Sequence, residues 1–437
     1  MKKLLSELKQ VSRMPRTIVC FGPGPMFKGG ISNYNTSLAK ALDKQPDTDV
    51  HIVSWTQQYP AIVPREFVDK SSKADLLEDT NVKVTYLTNY NNPSSWFKTA
   101  RLIKELGAEK IIIQWSIAIQ GLPVGRMINW LKKHTEIEVI VDLHFVLQKE
   151  KSSIDRFFLS IGIGNADTYL VHSLKTFEEL KAFYPKKQFE LVYDGVRESS
   201  NTKQNVVKLY HPIYDLFQPD EGFDVEQFKK QHGLRKHVFL FFGFIRKYKG
   251  LHQAIEAFAE MAKNRDDVSF LICGESFWNT LDNTKWQTKL KNFLFSTAKK
   301  IFLSKQDDEQ NYRPLERIKE LGIEDKCVVF NEFIPNEDVN KYFQVSDCVV
   351  LYYLTATPSG IESLSYNFNL PILATRVGHF PETIKDGFNG YLAEDRDVQS
   401  MASVMEKYIN EPLPRSNVAE IAKDLSWENY AKAILAS

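Results

Sequence analysis

The sequence predicts an α/β protein with two open parallel-sheet domains, and three observations support this fold class. Short apolar runs alternate with stretches of helical spacing, a pattern typical of parallel strands joined by crossover helices. This alternation weakens between about residues 197 and 234 and then resumes. The chain has 437 residues, more than one domain usually holds. We therefore expect a first domain at residues 1–210 and a second at 211–426.

The first half begins with an apolar strand, Thr17–Gly22, then a glycine-rich loop and a helix at Ile31–Leu42. Similar runs predict the other elements of this half: strands at Val50–Trp55, Val82–Leu87, Lys110–Trp115, Glu138–Leu143 and Tyr169–His172, and helices at Val124–Lys133 and Lys175–Phe183.

The second half repeats this architecture without obvious sequence repetition. A helix is expected near residues 251–262, and apolar runs predict strands at 237–243, 268–274, 326–330, 347–353 and 371–375. In open parallel sheets, ligands bind beyond the carboxyl ends of the strands. The loops after these strands are therefore where a functional site is expected.

Composition excludes several classes of protein. The 56 basic and 55 acidic residues give a net charge of +1, which argues against a dedicated nucleic-acid binder. The four cysteines lie far apart without metal-ligand spacing, so they are interpreted as buried reduced thiols. No apolar run is long enough for a signal peptide or a membrane span. A cytoplasmic protein is expected, with peripheral contact at the inner face of the membrane as an option.

Two glycine-containing loops follow predicted strands and favour anion binding. In the loop at 21–35, Gly29 and Gly30 precede a helix whose free amides can meet phosphate or sugar oxygens. In the second loop, Gly243 ends a strand and Arg246 and Lys249 follow, placed to neutralise a diphosphate. A plain tight turn and a solvated basic loop remain the alternatives.

The third candidate loop is a Pro-Ser-Gly turn after the run at 347–353. A helix is expected to start near Gly360, with its unpaired amides facing an anion. Ser359 also fits a helix cap, and Glu362 fits the helix dipole, so a purely structural interpretation stays open.

Four segments, taken in order, resemble the retaining glycosyltransferases of family four: Gly-Gly-Ile at 29–31, GFIRKYKG at 243–250, LICGE at 271–275 and PILATRVGHFPETIKDGFNGYL at 371–392. The resemblance implies the GT-B fold, in which two Rossmann-like doubly wound domains face each other across a cleft. It also implies transfer of a sugar from a nucleotide-diphosphate sugar to a hydroxyl acceptor, with retention and without a bound metal or other cofactor. The segment WENYAKAIL at 427–435 resembles the terminal helix that packs back on the first domain.

The resemblance assigns roles to individual positions. It implies that His144 faces the donor sugar and that Arg246 and Lys249 stabilise the leaving diphosphate. Donor-binding positions expected from the loops and the resemblance together are Gly29, Gly30, Gly243, Glu275, Glu332, Phe333, Ser359, Gly360, Ile361 and Glu362.

The sequence also departs from the family pattern. Phe244 stands where the family usually has arginine, and Ala356 and Leu364 stand where it has a Glu-x7-Glu pair. The segments at 58–64 and 209–217 resemble a bacterial subgroup, which suggests surface polysaccharide or lipid-linked glycan synthesis. A catalytically silent nucleotide-sugar-binding module and a sugar-nucleotide epimerase remain alternatives.

Two further features are not part of these loops. The Asp-x-Asp strings at 47–49 and 395–397 are interpreted as solvated loop residues rather than metal ligands. The segment 276–305 interleaves lysines with aromatic residues, which suits an anionic membrane surface. An ordinary helical excursion packed on the domain explains that segment equally well.

Overall fold

The computed structural model describes residues 15–61, 68–70, 72–73, 75–146, 153–197, 203–276, 312–358 and 360–436. Within these residues the strands form two sheets, and every paired strand runs parallel to its neighbour. The predicted α/β class with parallel strands is therefore confirmed.

The first sheet has the strand order β3-β2-β1-β4-β5-β6-β8-β7 in the described part of the chain. Its central strands are apolar and buried on both faces, as a sheet covered by helices requires. The strands are β1 Arg16–Phe21, β2 Thr48–Gln57, β3 Lys83–Asn89, β4 Lys110–Trp115, β5 Glu138–Leu143, β6 Thr168–Val171, β7 Gln188–Val192 and β8 Lys203–Lys208.

Helices cover both faces of this sheet. The helix after β3 starts where Asn92 caps the Ser94 amide and Pro93 occupies the first turn. Ser173 caps the helix after β6 in the same way. The helices are α1 Gly30–Asp43, α2 Pro93–Glu105, α3 Gly121–His134, α4 Ser153–Ile163 and α5 Leu174–Phe183, with a 3₁₀ turn at Ala118–Gln120.

The second sheet, as described, has the order β11-β10-β9-β12-β13-β14. Its first four strands match predicted apolar runs closely, because each is a short, mainly apolar segment. The strands are β9 His237–Phe242, β10 Val268–Cys273, β11 Cys327–Phe330, β12 Cys348–Leu351, β13 Ile372–Thr375 and β14 Gly390–Ala393.

The helices of the second half are α6 Val225–His232, α7 Leu251–Met261, α8 Glu316–Glu320, α9 Val339–Gln344, α10 Gly360–Asn367, α11 Phe380–Thr383, α12 Val398–Asn410, α13 Arg415–Asp424 and α14 Trp427–Leu435. Short 3₁₀ turns lie at Lys247–Lys249, Ala262–Asn264, Glu324–Lys326 and Asn336–Asp338.

The alternation of apolar runs weakens between 197 and 234, although β8 and α6 lie there. Strands β7 and β8 lie at one edge of the sheet and mix polar with apolar residues, so they lack a long apolar run. Helix α6 has no buried residue, which removes the periodic apolar signal.

Helix α14 packs against α1 of the first half, and this contact joins the two halves. The Tyr34 hydroxyl donates to the Tyr430 hydroxyl at 2.6 Å, and the ring centroids of Tyr34 and Trp427 lie 5.0 Å apart. The backbone amide of Ile213 donates to the Leu425 carbonyl at 2.9 Å. One apolar core cluster therefore continues from the first sheet into the second half. The domain boundary at 210/211 stays a prediction.

Among the described helices, none combines the length and apolar character needed to cross a membrane. Three of the four cysteines are buried, Cys327 is half-buried, and all are free thiols.

Candidate functional site

A cavity of about 270 Å³ lies between the two halves. Residues Gly29, Gly30 and Asn33 supply the wall from the first half, and the second half supplies the rest. Nine of the predicted site residues line it: Gly29, Gly30, Gly243, Lys249, Glu275, Glu332, Phe333, Gly360 and Ile361. The structure therefore brings together loops that are more than 300 residues apart in sequence.

The wall from the first half is the start of helix α1. Gly29 precedes this helix with φ 105°, a backbone conformation that favours glycine. The Tyr214 hydroxyl, from the segment that connects the sheets, donates to the Gly30 carbonyl at 2.7 Å. This bond holds the glycine-rich loop against the second half.

Gly243 and Lys249 form the cationic side of the cavity. Gly243 has φ 90°, and a Cβ there would lie 2.9 Å from the Lys249 Nζ and 3.1 Å from Ile361 Cδ1. Lys249 is only 7% exposed, and its ammonium lies 5.9 Å from the ring centroids of Phe241 and Tyr353. The described residues give this ammonium no hydrogen bond or ion pair. Burial, together with the neighbouring charge of Arg246, lowers the pKa of Lys249 to about 7. A buried cation at a cavity wall, with no acidic partner among the described residues, is placed to receive an anion.

Arg246 does not line the cavity. Its guanidinium carbon lies 5.6 Å from the ring centroid of Tyr248. It contributes to the electrostatics of the site through its effect on Lys249. Its assignment as a direct diphosphate ligand stays a prediction.

Helix α10 supplies the opposite wall through Gly360, Ile361 and Leu364. A Cβ on Gly360 would lie 2.5 Å from the Tyr214 ring, so only glycine fits where the connecting segment passes the helix start. Gly360 opens the eight-residue helix, whose first-turn amides have no partner within the helix. Ser359 lies outside the described residues.

Glu362 does not line the cavity, so its role in donor binding stays a prediction. It is 4% exposed, and its two oxygens accept hydrogen bonds from Tyr366, Thr383 and His379. Although burial alone raises the pKa of Glu362, His379 and the two hydroxyls bring it below the usual value. The carboxylate is saturated by internal partners and holds α10 against α11.

Aromatic side chains line the cavity together with Glu275 and Glu332. The ring centroids of Phe244 and Phe333 lie 6.5 Å apart, tilted by 33°. The ammonium of Lys28, from the glycine-rich loop, lies 4.7 Å from the Phe333 centroid. Aromatic rings and a cationic side chain in one cavity suit a flat ring joined to a phosphate group.

The structure does not bring His144 to the cavity wall. Its Nε2 donates to Gln114 Oε1 at 2.8 Å, and its ring packs edge-on against Tyr34, with centroids 4.7 Å apart. Burial lowers the pKa of His144 to about 4, against the opposing charge of Asp142, so the ring is neutral at physiological pH. The role of His144 in orienting a donor sugar stays a prediction.

His144 borders a buried hydrogen-bond network that links the halves. Asp142 accepts from His172 Nε2 at 2.7 Å and from the Tyr430 hydroxyl at 3.3 Å. Burial alone raises the pKa of Asp142, but the charge and hydrogen bond of His172 leave it lowered. This network ties the carboxyl edge of the first sheet to α14.

Sequence reasoning missed Tyr214, Phe244 and Tyr353 as cavity residues. Tyr214 lies in a segment without periodicity, so nothing in the sequence indicated that it would reach Gly30. Phe244 was noted only as a departure, although its position directly after Gly243 was the available signal.

Both Asp-x-Asp strings have structural partners. Asp49 pairs with Lys83 at 2.9 Å, and Asp397 caps helix α12 by accepting from the Ser400 amide. In the described ranges, no group of three or more histidine, cysteine or acidic side chains is arranged to hold a metal ion. The lysine-rich segment 276–305 lies outside the described residues, apart from Ser276.

Comparisons with known proteins place the chain beside glycosyltransferases. Residues 223–425 match the family model described as glycosyl transferases group 1. Spore coat protein SA of Bacillus subtilis is 24% identical over 57% of this chain and 58% of its own length. The D-inositol 3-phosphate glycosyltransferase of Thermobifida fusca is 32% identical over 20% of this chain and 24% of its own length. The chain thus matches less than two thirds of either relative.

A solved structure extends the likeness to the whole fold. Anabaena HepE, solved in complex with UDP and glucose, superposes with a TM-score of 0.59 at 14% identity, covering 96% of this chain and 95% of HepE. At that identity the likeness shows the shared two-sheet fold.

Proposed function

Since residues 223–425 belong to the glycosyl transferases group 1 family and the whole chain has the GT-B fold, we propose that this protein is a retaining, metal-independent glycosyltransferase. It moves a sugar from a nucleotide-diphosphate sugar to a hydroxyl acceptor. The cleft cavity is its donor site, and no cofactor takes part.

One observation carries the proposal: Lys249 is buried at the wall of a cavity shared by both halves, and the described part of the chain gives its ammonium no acidic partner. Keeping an unpaired ammonium out of water is costly, and an anionic ligand offsets that cost. The start of α10 supports the same wall with the positive end of its helix dipole. A diphosphate is the part of a donor that matches both features.

The reaction breaks the bond between the sugar C1 and the β-phosphate oxygen, and forms a bond between C1 and the acceptor oxygen. The electron pair of the broken bond leaves with the nucleoside diphosphate, where negative charge grows. Lys249 and the α10 amides stabilise that growing charge. With retention, the acceptor oxygen approaches on the face of the leaving group, so its proton passes to a departing phosphate oxygen.

In this proposal different parts of the donor contact different residues of the cavity. The nucleoside lies against Phe333 and Glu332, since aromatic rings stack on a base. The sugar then extends toward Gly29 and Gly30, where the acceptor approaches from the first half. Closure between the halves excludes water and limits hydrolysis of the donor.

In this proposal the acceptor is a growing glycan, with surface polysaccharide as the leading class. The enzyme acts in the cytoplasm. The name of the Bacillus subtilis relative, a spore coat protein, supports a surface structure as the destination. Contact of segment 276–305 with an anionic membrane is part of the same proposal. Liposome co-sedimentation of the wild type against a variant with Lys289, Lys291, Lys299 and Lys300 changed to Glu tests it, and equal binding rejects it.

A donor screen tests the main proposal. The purified chain is incubated with UDP-, ADP- and GDP-sugars in a thermal-shift assay, beginning with UDP-glucose because HepE was solved with UDP and glucose. Donors that bind are then tested with labelled sugar over an acceptor panel, with and without EDTA. The expected product keeps the donor's anomeric configuration, and EDTA leaves its rate unchanged.

The same assay separates the alternatives. Conversion of the donor into a different nucleotide sugar without acceptor supports an epimerase. Donor binding with no product over the whole panel supports a silent binding module. Failure of every nucleotide sugar to bind rejects the donor site itself.

A further inference from the structure

A second groove, of about 470 Å³, lies where strand β8 and the 193–197 loop meet helices α13 and α14. In the described residues, none of the side chains that line it also lines the cleft cavity. The proposed transfer reaction makes no use of this groove.

Exposed tyrosines flank the groove. Tyr193 is 62% exposed and Tyr210 is 42% exposed, although large aromatic side chains usually bury most of their surface. A phenol ring offers an apolar face with a polar rim. That combination suits a ligand with an apolar face and polar edges, such as a pyranose ring.

The polar side chains of the groove include both hydrogen-bond donors and hydrogen-bond acceptors. Lys208 is only 5% exposed, and within the described chain its ammonium has no hydrogen bond or ion pair; it lies 3.1 Å from the Tyr210 ring centroid. Asp194, Asp424 and Asn429 line the same groove and are exposed. Lys432 adds no unpaired charge, because it bonds to Glu428.

This set matches sugar hydroxyls, which donate and accept at once. Hydroxyl groups can donate to the Asp194 and Asp424 carboxylates and accept from the Lys208 ammonium. The two carboxylates disfavour a phosphate or a uronate, because like charges repel.

The groove is held in shape without a ligand. Gly195 has φ 82°, and a Cβ there would lie 2.1 Å from the Ala433 carbonyl oxygen, so the loop passes directly against α14. Arg197 donates to the carbonyls of Gly195, at 2.9 Å, and of Ile434, at 2.8 Å. The loop that carries Tyr193 and Asp194 is therefore fixed, which lowers the entropy cost of binding.

We propose that this groove binds a neutral sugar unit of a glycan, separately from the donor cleft. It retains a glycan chain on the enzyme while the cleft acts on another part of it. The binding itself does not depend on the transfer activity.

Saturation-transfer difference NMR tests the site. The probes are maltose, cellobiose, lactose and N,N′-diacetylchitobiose, with glucose 1-phosphate and glucuronate as anionic comparisons. The variants are Tyr193→Ala and Asp424→Asn, both at exposed positions that tolerate change. The controls are Phe157→Ala, an aromatic 59% exposed outside the groove, and Lys249→Met in the cleft.

At least one neutral disaccharide is expected to bind the wild type and both controls. Tyr193→Ala and Asp424→Asn should weaken that binding about tenfold, the scale of losing one stacking or hydrogen-bonding group. The proposal is overturned if no neutral probe binds, if only the anionic probes bind, or if the groove variants bind as well as the wild type.

The outcome is independent of the donor site. Lys249→Met should lose nucleotide-sugar binding and keep disaccharide binding. The groove variants should keep nucleotide-sugar binding and weaken disaccharide binding. If every variant, including Lys249→Met, still binds nucleotide sugars, the result counts against the cleft as the donor site. The result for the groove is not affected.

Discussion

Replacing Lys249 by methionine should reduce activity and increase stability at the same time. Methionine has a similar length, so the cavity wall keeps its shape while the charge is removed. Loss of one preorganised charge stabiliser lowers kcat by about 10²- to 10³-fold. Lys263→Met is the control, because Lys263 is exposed, pairs with Glu260 and lies outside the cavity.

The gain in stability follows from the lowered pKa. The unfolded chain keeps the Lys249 proton up to about pH 10.5, whereas the folded chain loses it above about pH 7. The unfolded state therefore binds more protons between these values, and wild-type stability rises with pH across that window. At pH 6 the cost of the buried charge is about 5 kcal/mol, taking 1.36 kcal/mol for each pH unit. At pH 9 the buried Lys249 side chain still costs about 2 kcal/mol of folding free energy.

Urea unfolding of the wild type and the Lys249→Met variant at pH 6 and pH 9, without donor, measures this difference. The variant should be the more stable protein at both pH values, and its advantage should shrink as the pH rises. A variant that is less stable than the wild type, or whose advantage does not depend on pH, would refute a buried unpaired ammonium. An active variant would refute its role in transfer.

Three further outcomes are expected. Nucleotide-sugar affinity, measured by calorimetry, should fall about fivefold between pH 7 and pH 8. The donor binds the form with a charged Lys249, and the fraction of free enzyme in that form falls over this range. An affinity that does not change with pH would contradict this. Gly243→Ala should lower kcat/KM at least about tenfold, because the new Cβ meets Lys249 and strains a φ of 90°; unchanged steady-state kinetics would exclude that contact. Glu362→Gln should lower the free energy of unfolding, measured in urea titrations, by about 1–3 kcal/mol, because the His379 contact is weakened. The folded variant should keep kcat/KM within about threefold of the wild type. A loss of activity without a loss of stability would instead assign Glu362 to the donor site.

Much of the fold could be predicted because strand signals in a parallel sheet are strong. Strands β4 and β5 have the bounds expected from their apolar runs, Lys110–Trp115 and Glu138–Leu143. Both are buried on two faces, so hydrophobicity alone marks them. Strands β7, β8 and β14 were not predicted, because they are short, polar or at the edge of a sheet.

The candidate site was predictable where backbone shape dictates the residue. Gly29 and Gly243 occupy left-handed conformations at loop positions, and glycine-rich loops after strands are visible in a sequence. Side-chain direction is not visible in the same way. Glu362 stands two residues after Gly360, yet its carboxylate turns inward to His379, a partner 17 residues away. Tyr214 reaches Gly30 across 184 residues, and only the folded chain reveals that contact.

A crystal structure of the chain with the nucleoside diphosphate that gives the largest thermal shift tests the central claim most directly. The account predicts a phosphate oxygen within about 3.2 Å of the Lys249 Nζ, with further oxygens at the first amides of α10. Phosphates bound elsewhere, with Lys249 still unpaired, would contradict it.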